Sequence, residues 1–146
     1  MTHFSHLSAA GKIKWQNQPA LFYMYSSAFQ PETNILISRW TGDIAKQDIL
    51  DFLDFLNAHE ELPRRLRTLE MMENVNVSFE VEDLMTVAAR VKEVLGKYKS
   101  VRSAVVSTQP LPVAYGMMYK GMTDSFPNYK VEIFDAVHVA MNWLGR

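Results

Sequence analysis

Two rhythms of apolar and polar positions run along this chain, and the switches between them mark its elements. The run ALFYMYSSAF (residues 20–29) reads as a strand, QPETN as a turn, and ILISRWTG (35–42) as a second strand. Two β-rich runs separated by five residues containing Pro and Asn make an antiparallel hairpin. The period then lengthens. Ile49, Phe52, Leu53 and Leu56 recur at i, i+3, i+4 and i+7 in residues 43–62, the stripe of an amphipathic helix that Pro63 ends. RLRTLEMMENV (65–75) returns to a strand pattern, interrupted by Glu70. Residues 78–98 are the clearest helix, with Val81, Leu84, Met85, Ala88, Val91 and Leu95 expected on its buried face. Ser78 stands where an N-cap is expected, Glu80, Glu82 and Asp83 put negative charge at that end of the dipole, and Gly96 supplies a stop. VRSAVVS (101–107) is a strand apolar enough to be covered on both faces. In NYKVEIF (128–134), Tyr129, Val131 and Ile133 alternate with Lys130 and Glu132, a half-buried strand. Asp135 is expected to cap a last short helix that turns Ala136, Ala140, Trp143 and Leu144 toward the core.

The resulting order is ββαβαβαβα. Short connections between alternating strands and helices imply right-handed crossovers and mainly parallel pairing. The expected fold class is α/β: one domain over residues 19–146, with a mixed, mostly parallel five-stranded sheet and about four helices. Residues 1–18 are polar and aperiodic and read as a flexible arm. His3 and His6 sit three apart in it, but two histidines on a loose arm make a poor metal clamp, and a solvated tail is the expectation.

Composition narrows the function classes more than it names one. Among 146 residues, 48% are hydrophobic and 21% charged, the balance of a chain that builds a packed core. Fifteen basic against sixteen acidic side chains give a net charge of −1, which argues against a nucleic-acid partner. The cluster Arg64, Arg65, Arg67 is offset by Glu60 and Glu61. The absence of cysteine removes disulfides, thiolate catalysis and Cys-ligated zinc. No run approaches the roughly 20 apolar residues of a membrane span. The N-terminal residues lack the pattern of a signal peptide, so a cytoplasmic location is expected.

Residues 105–124, VVSTQPLPVAYGMMYKGMTD, come nearest to a ligand-binding motif. Gly116 and Gly121 lie five apart with Thr123 beyond, as in a phosphate-cradling G-x-x-x-x-G-K-[ST] loop. Met122 stands in place of the lysine, Lys120 is two residues early, and the prolines of the expected loop, residues 109–112, withhold N–H donors. The nucleotide reading fails. On a helical wheel Ala114, Met117, Met118 and Gly121 share the expected core face, beside a second apolar stripe of Tyr115, Tyr119, Met122 and Phe126. A helix this apolar is a buried core element, a dimer interface, or a wall against an apolar ligand. The glycines are expected to allow its close packing. Tyr115, Met118, Tyr119, Met122 and Phe126 are therefore the candidate interface or ligand contacts.

Catalytic constellations are thin. G-x-S-x-G and H-E-x-x-H are both missing. His59 falls at a helix end among Glu60 and Glu61, and His138 opposite the apolar positions of its helix. Asp43 with Asp48, or Glu70 with Glu73, are conceivable carboxylate pairs that no base, nucleophile or metal joins. No catalytic residue, metal ligand or cofactor is expected, and an enzyme is the least favoured reading.

Three stretches carry a family resemblance. SRWTGDIAKQDILDFL (38–53), STQPLPVAYGMMYKGM (107–122) and VEIFDAVHVAMNWL (131–144), in this order and spacing, resemble the SpoIIAA-like family of small bacterial proteins, also described as STAS/Sec14-like. The resemblance covers roughly residues 20–145. It implies a mixed sheet packed by helices in a β/α superhelix. It further implies a non-enzymatic regulator acting through protein–protein contacts, with a kinase-like partner or as a homodimer, or a carrier of a hydrophobic, lipid-like ligand. Regulatory relatives carry a phosphorylatable serine at the start of the helix after the third strand. Ser78 is near that place, but the preceding Asp-Ser pattern is missing from residues 69–84, and the acidic side chains after it would repel a phosphate. Ser78 is accordingly the candidate for phosphorylation or for a plain N-cap.

Overall fold

The computed structural model describes residues 12–13 and 25–146. The hairpin is formed by β2 (Tyr25–Gln30) and β3 (Ile35–Ile44), paired from Tyr25↔Trp40 to Gln30↔Ile35. Its tight return is closed by the Asn34 N–H on the Gln30 carbonyl at 2.8 Å, with Asn34 at φ 62°, a left-handed conformation that asparagine tolerates. Three parallel strands follow: β4 (Arg65–Val77), β5 (Ser100–Val106) and β6 (Tyr129–Phe134). The five expected strands are all present, and the sheet has a sixth at its edge. The two residues Lys12–Ile13 (β1) pair antiparallel with β2, so this part of the expected arm belongs to the sheet. The remainder of that arm, His3 and His6 included, lies outside the described residues. Strand order is β1-β2-β3-β4-β5-β6, sequential because each crossover steps one strand further.

The helices are α1 (Lys46–Ala58), α2 (Asp83–Val94), α3 (Pro110–Thr123) and α4 (Val137–Leu144). Alternation along the strands divides the interior into two cores. Leu36, Trp40, Leu66 and Val101 face α1 and α2, joined by Phe52, Leu53, Phe55, Leu56, Val87, Val91 and Val94. Their neighbours Ile35, Leu69, Ala104 and Val106 point the other way, onto Ala140 and Leu144 of α4. α1, α2 and α3 are thus consecutive on one face, and among the described residues α4 is the one helix on the other. A bulge preserves this division late in β4. Trp40 pairs with Met72 but Gly42 with Val75, so β4 carries one extra residue there, with Asn74 at φ 52°. The shift returns Val75 and Val77 to the α1–α2 side.

Three helix starts differ from the sequence reading. Ser78 is not an N-cap, because its N–H still bonds the Ile44 carbonyl at 2.9 Å and prolongs the strand ladder. The chain turns first, the Glu80 N–H bonds Asp83 Oδ2 at 2.9 Å, and α2 begins at Asp83. The later start rotates the helix. Val87 and Val94 are buried, while Val81 and Met85, expected inside, are exposed, Met85 by 66%. α3 starts at Pro110, so the prolines form its first turn, where missing N–H groups cost nothing, rather than a loop. Just before it, the Gln109 side chain acts as a short substitute strand. Its amide donates to the Val75 carbonyl at 3.0 Å and accepts the Val75 N–H at 2.8 Å. α4 is flanked by Ala136, and Asp135 lies one position too early to cap it.

Candidate functional site

Inward positions from four strands of the sheet's α1–α3 face line one cavity. Trp40 comes from β3, Thr68, Glu70 and Met72 from β4, Ser103 and Val105 from β5, and Tyr129 and Val131 from β6. Phe52, Leu53 and Leu56 of α1, Leu84, Val87 and Val91 of α2, and Pro112, Tyr115, Gly116 and Tyr119 of α3 close it. The free space is about 170 Å³. Roughly 10–15 Å³ on the same scale admits one water, so this is far more than a packing defect.

The polar groups come from the sheet and from the tyrosines of α3. Trp40 Nε1 donates to Glu70 Oε1 at 2.8 Å, Thr68 Oγ1 to Ser103 Oγ at 2.8 Å, and the Tyr119 and Tyr129 hydroxyls share a bond of 2.8 Å. The Tyr115 hydroxyl donates to the Phe79 carbonyl at 3.0 Å. Glu70 is only 8% exposed. Burial away from water pushes its carboxyl up from 4.5 to about 7, against the opposing hydrogen bond from Trp40. Among the described residues, no lysine, arginine or histidine lines the cavity. Burial likewise raises Tyr119 well above its ordinary value and Tyr129 to about 12.

The helix singled out in the sequence does form a wall of this cavity, but it is rotated from the wheel's expectation. Tyr115 and Tyr119 face inward. Ala114 and Gly121, expected in the core, are exposed, as are Met117 by 52% and Met118 by 36%. Met122 is half-buried. Phe126 packs on the main core, with Lys92 Nζ 5.8 Å from its ring centre. The two glycines part company. A methyl group on Gly116 would lie 2.9 Å from Ile133 Cδ1, the mark of close approach between α3 and β6, whereas one on Gly121 meets nothing within 4 Å.

The remaining candidates stay apart. Ser78 is exposed, 3.4 Å from Asn76 Nδ2, and precedes the first turn of α2, so a phosphate there would miss the helix N-terminus. Glu73 is exposed and pairs with Arg39 at 3.7 Å, away from Glu70. Asp43 accepts from Asn76 Nδ2 at 3.0 Å, and Asp48 accepts the Ala45 N–H at 2.8 Å. His59 Nδ1 lies 3.0 Å from the Phe55 carbonyl, and His138 is exposed. Sequence reasoning read Glu70 as an interruption of its strand and as a conceivable carboxylate partner of Glu73, and did not single out Trp40, Thr68 or Ser103. The available signal was spacing: Leu66, Thr68, Glu70 and Met72 share one face of β4, so a charge at position 70 had to lie inside.

No family model and no curated protein matches the chain. Among solved structures, it is similar to an uncharacterised protein of the DUF3478 family from Shewanella loihica PV-4, described as having a SpoIIAA-like fold. The TM-score is 0.51 at 12% identity, over 88% of this chain and 99% of that one. Among the described residues no helix is long and apolar enough to cross a membrane. The sequential sheet, the three helices on one face and the single helix on the other, together with this likeness, give the chain a SpoIIAA-like fold.

Proposed function

We propose that this protein is a non-enzymatic binding module that holds one small, largely apolar molecule in the cavity between its sheet and α1–α3. The observation that carries this is the cavity itself: an apolar chamber of about 170 Å³ whose few polar groups are side chains of the sheet and tyrosine hydroxyls. Binding sites are built this way, with apolar walls for affinity and few placed polar groups for orientation. The size narrows the lipid-like expectation. A cavity of roughly 150 Å³ takes one benzene, so the occupant is ring-sized rather than a long acyl chain. The non-catalytic reading rests on the lining, where Glu70 is joined by hydroxyls and an indole but by no imidazole or amine. Toluene titrated into the protein is expected to move the methyl resonances of Val87, Val91, Val101 and Val131 in a saturable way, and Val131→Phe to abolish the effect. Shifts that never saturate, or that survive Val131→Phe, would overturn the assignment.

A second reading, contact with a regulatory protein or a second copy of this chain, is favoured by the outer face of α3. Leu111, Met117 and Met118 are all exposed there without a charge between them. Sedimentation of the purified protein as a dimer, lost on Met117→Glu, supports this reading. A monomer at high concentration removes the homodimer.

A further inference from the structure

Resting on the proposed binding function, we infer that the cavity selects a small apolar amine, its ammonium group seated on the Glu70 carboxylate and its hydrocarbon body between α2 and α3. Three observations carry this. First, Glu70 is buried on the cavity floor with a hydrogen bond from Trp40 Nε1 that favours its ionised form, yet it has no cation. Among the described residues it belongs to no ion pair, and the lining supplies no positive side chain. A buried carboxylate in that position is completed by a proton or by a cation that arrives from outside. Second, that cation must be monovalent and attached to an apolar body. A single carboxylate balances one charge, and no second acidic side chain lines the cavity to hold a divalent metal. Third, aromatic rings surround the carboxyl. Trp40, Phe52, Tyr119 and Tyr129 line the same space, and an ammonium is attracted to ring faces as well as to the carboxylate. A neutral hydrocarbon would fill the volume but leave the desolvated carboxyl without a partner charge.

Proton competition follows from this arrangement, because the ammonium and the proton seek the same oxygen atoms. The titratable groups that face Glu70 are phenols. Tyr25 of β2, Tyr119 of α3 and Tyr129 of β6 are all raised above their ordinary value, chiefly by burial, and stay neutral near pH 7. Tyr98, also lining the cavity, is raised to about 12 by burial, and Tyr115 donates its hydroxyl to Phe79. The cavity-lining positions of α1, α2 and β5 carry no ionisable side chain. Among the described residues, Glu70 is therefore the only lining group that changes charge between pH 5.5 and 8.

The test compares benzylamine, cationic across that range, with toluene, a neutral molecule of nearly the same shape. Titrations of wild type and Glu70→Gln are followed by the valine methyl resonances at both pH values. With the Glu70 carboxyl at about 7, the affinity of wild type for benzylamine should rise about 30-fold from pH 5.5 to 8, as the ionised fraction does. Glu70→Gln, which keeps the shape and an acceptor for Trp40, should lose the rise and the preference for the amine. Toluene should bind both proteins alike at both pH values. Toluene binding together with a benzylamine affinity flat in pH, or unchanged by Glu70→Gln, overturns the amine and leaves the cavity standing. Failure of both molecules to shift the lining methyls overturns the binding function itself. The wild-type pH profile decides the matter even if the variant folds poorly.

Discussion

Raising the pH from 5 to 8 is expected to lower the unfolding free energy of the unliganded protein by about 2–3 kcal/mol through Glu70 alone. The sign follows from where the carboxyl titrates in each state. In the folded protein it is held at about 7, against 4.5 when unburied, so the native state keeps a proton that the unfolded chain has released. The contribution is fully present below about pH 4.5, where both states are protonated, and is lost as the pH climbs through 7. Near-complete burial makes this large, since each tenfold gain in proton affinity on folding corresponds to about 1.4 kcal/mol. Urea unfolding of wild type and Glu70→Gln at pH 5, 6.5 and 8 isolates the effect, because every other titrating group is common to both. The two proteins should be close in stability at pH 5, with the variant more stable by about 2–3 kcal/mol at pH 8. Parallel profiles would mean that Glu70 titrates in the folded protein as it does in water. Benzylamine at saturating concentration should restore part of the loss at pH 8 by giving the ionised carboxylate its partner, and do nothing at pH 5.

The element order was legible because periodicity is a local property. The i, i+3, i+4 stripe of α1 and the alternation of β6 need only neighbours in sequence to be recognised. Helix orientation was not legible where both candidate stripes are apolar. On α3, Met117 and Met118 compete with Tyr115 and Tyr119 for the interior, and the decision comes from β6, where Ile133 requires the absent side chain of Gly116. Tyr129 then receives the Tyr119 hydroxyl. On α2 the offset arose at its start, since the ladder bond from Ser78 to Ile44 delays the helix to Asp83 and moves Val87 and Val94 inward. The candidate site was half visible. Its wall of tyrosines was found from the second apolar stripe of residues 111–126, where Lys120 and Asp124 are nearly the only charges. Its floor was missed, because the meaning of Glu70 depends on Trp40, 30 residues away on the adjacent strand. β1 was invisible for a simpler reason: two residues are too short to show any period.

Leu144→Ala is expected to cost about 3–5 kcal/mol, the largest single loss among side chains remote from the cavity. α4 has only eight residues, too few to be stable in water by itself, so it depends on what it buries. Leu144 and Ala140 are both 0% exposed, and Leu144 is the larger, set against Ile35, Leu69 and Ala104 on the sheet face opposite α1–α3. The helix end is also fastened from below. Arg67 Nη1 donates to the Leu144 carbonyl at 2.9 Å and Arg102 Nη2 to the Trp143 carbonyl at 2.8 Å, with the Arg102 guanidinium 4.3 Å from the Trp143 ring centre. Cations suit the carbonyl end of a helix, and here they hold Leu144 against collapse into the space that truncation would open. A site that cannot relax keeps its cavity and takes the upper part of the range. Urea unfolding should show a lower midpoint with an unchanged slope. A loss under about 1 kcal/mol would show that α4 is not anchored by this residue. Because Leu144 and the ligand cavity lie on opposite faces of the sheet, the folded variant should bind toluene as wild type does. Leu53→Ala, a truncation of the same kind in the other core at a residue that lines the cavity, should weaken folding and binding together.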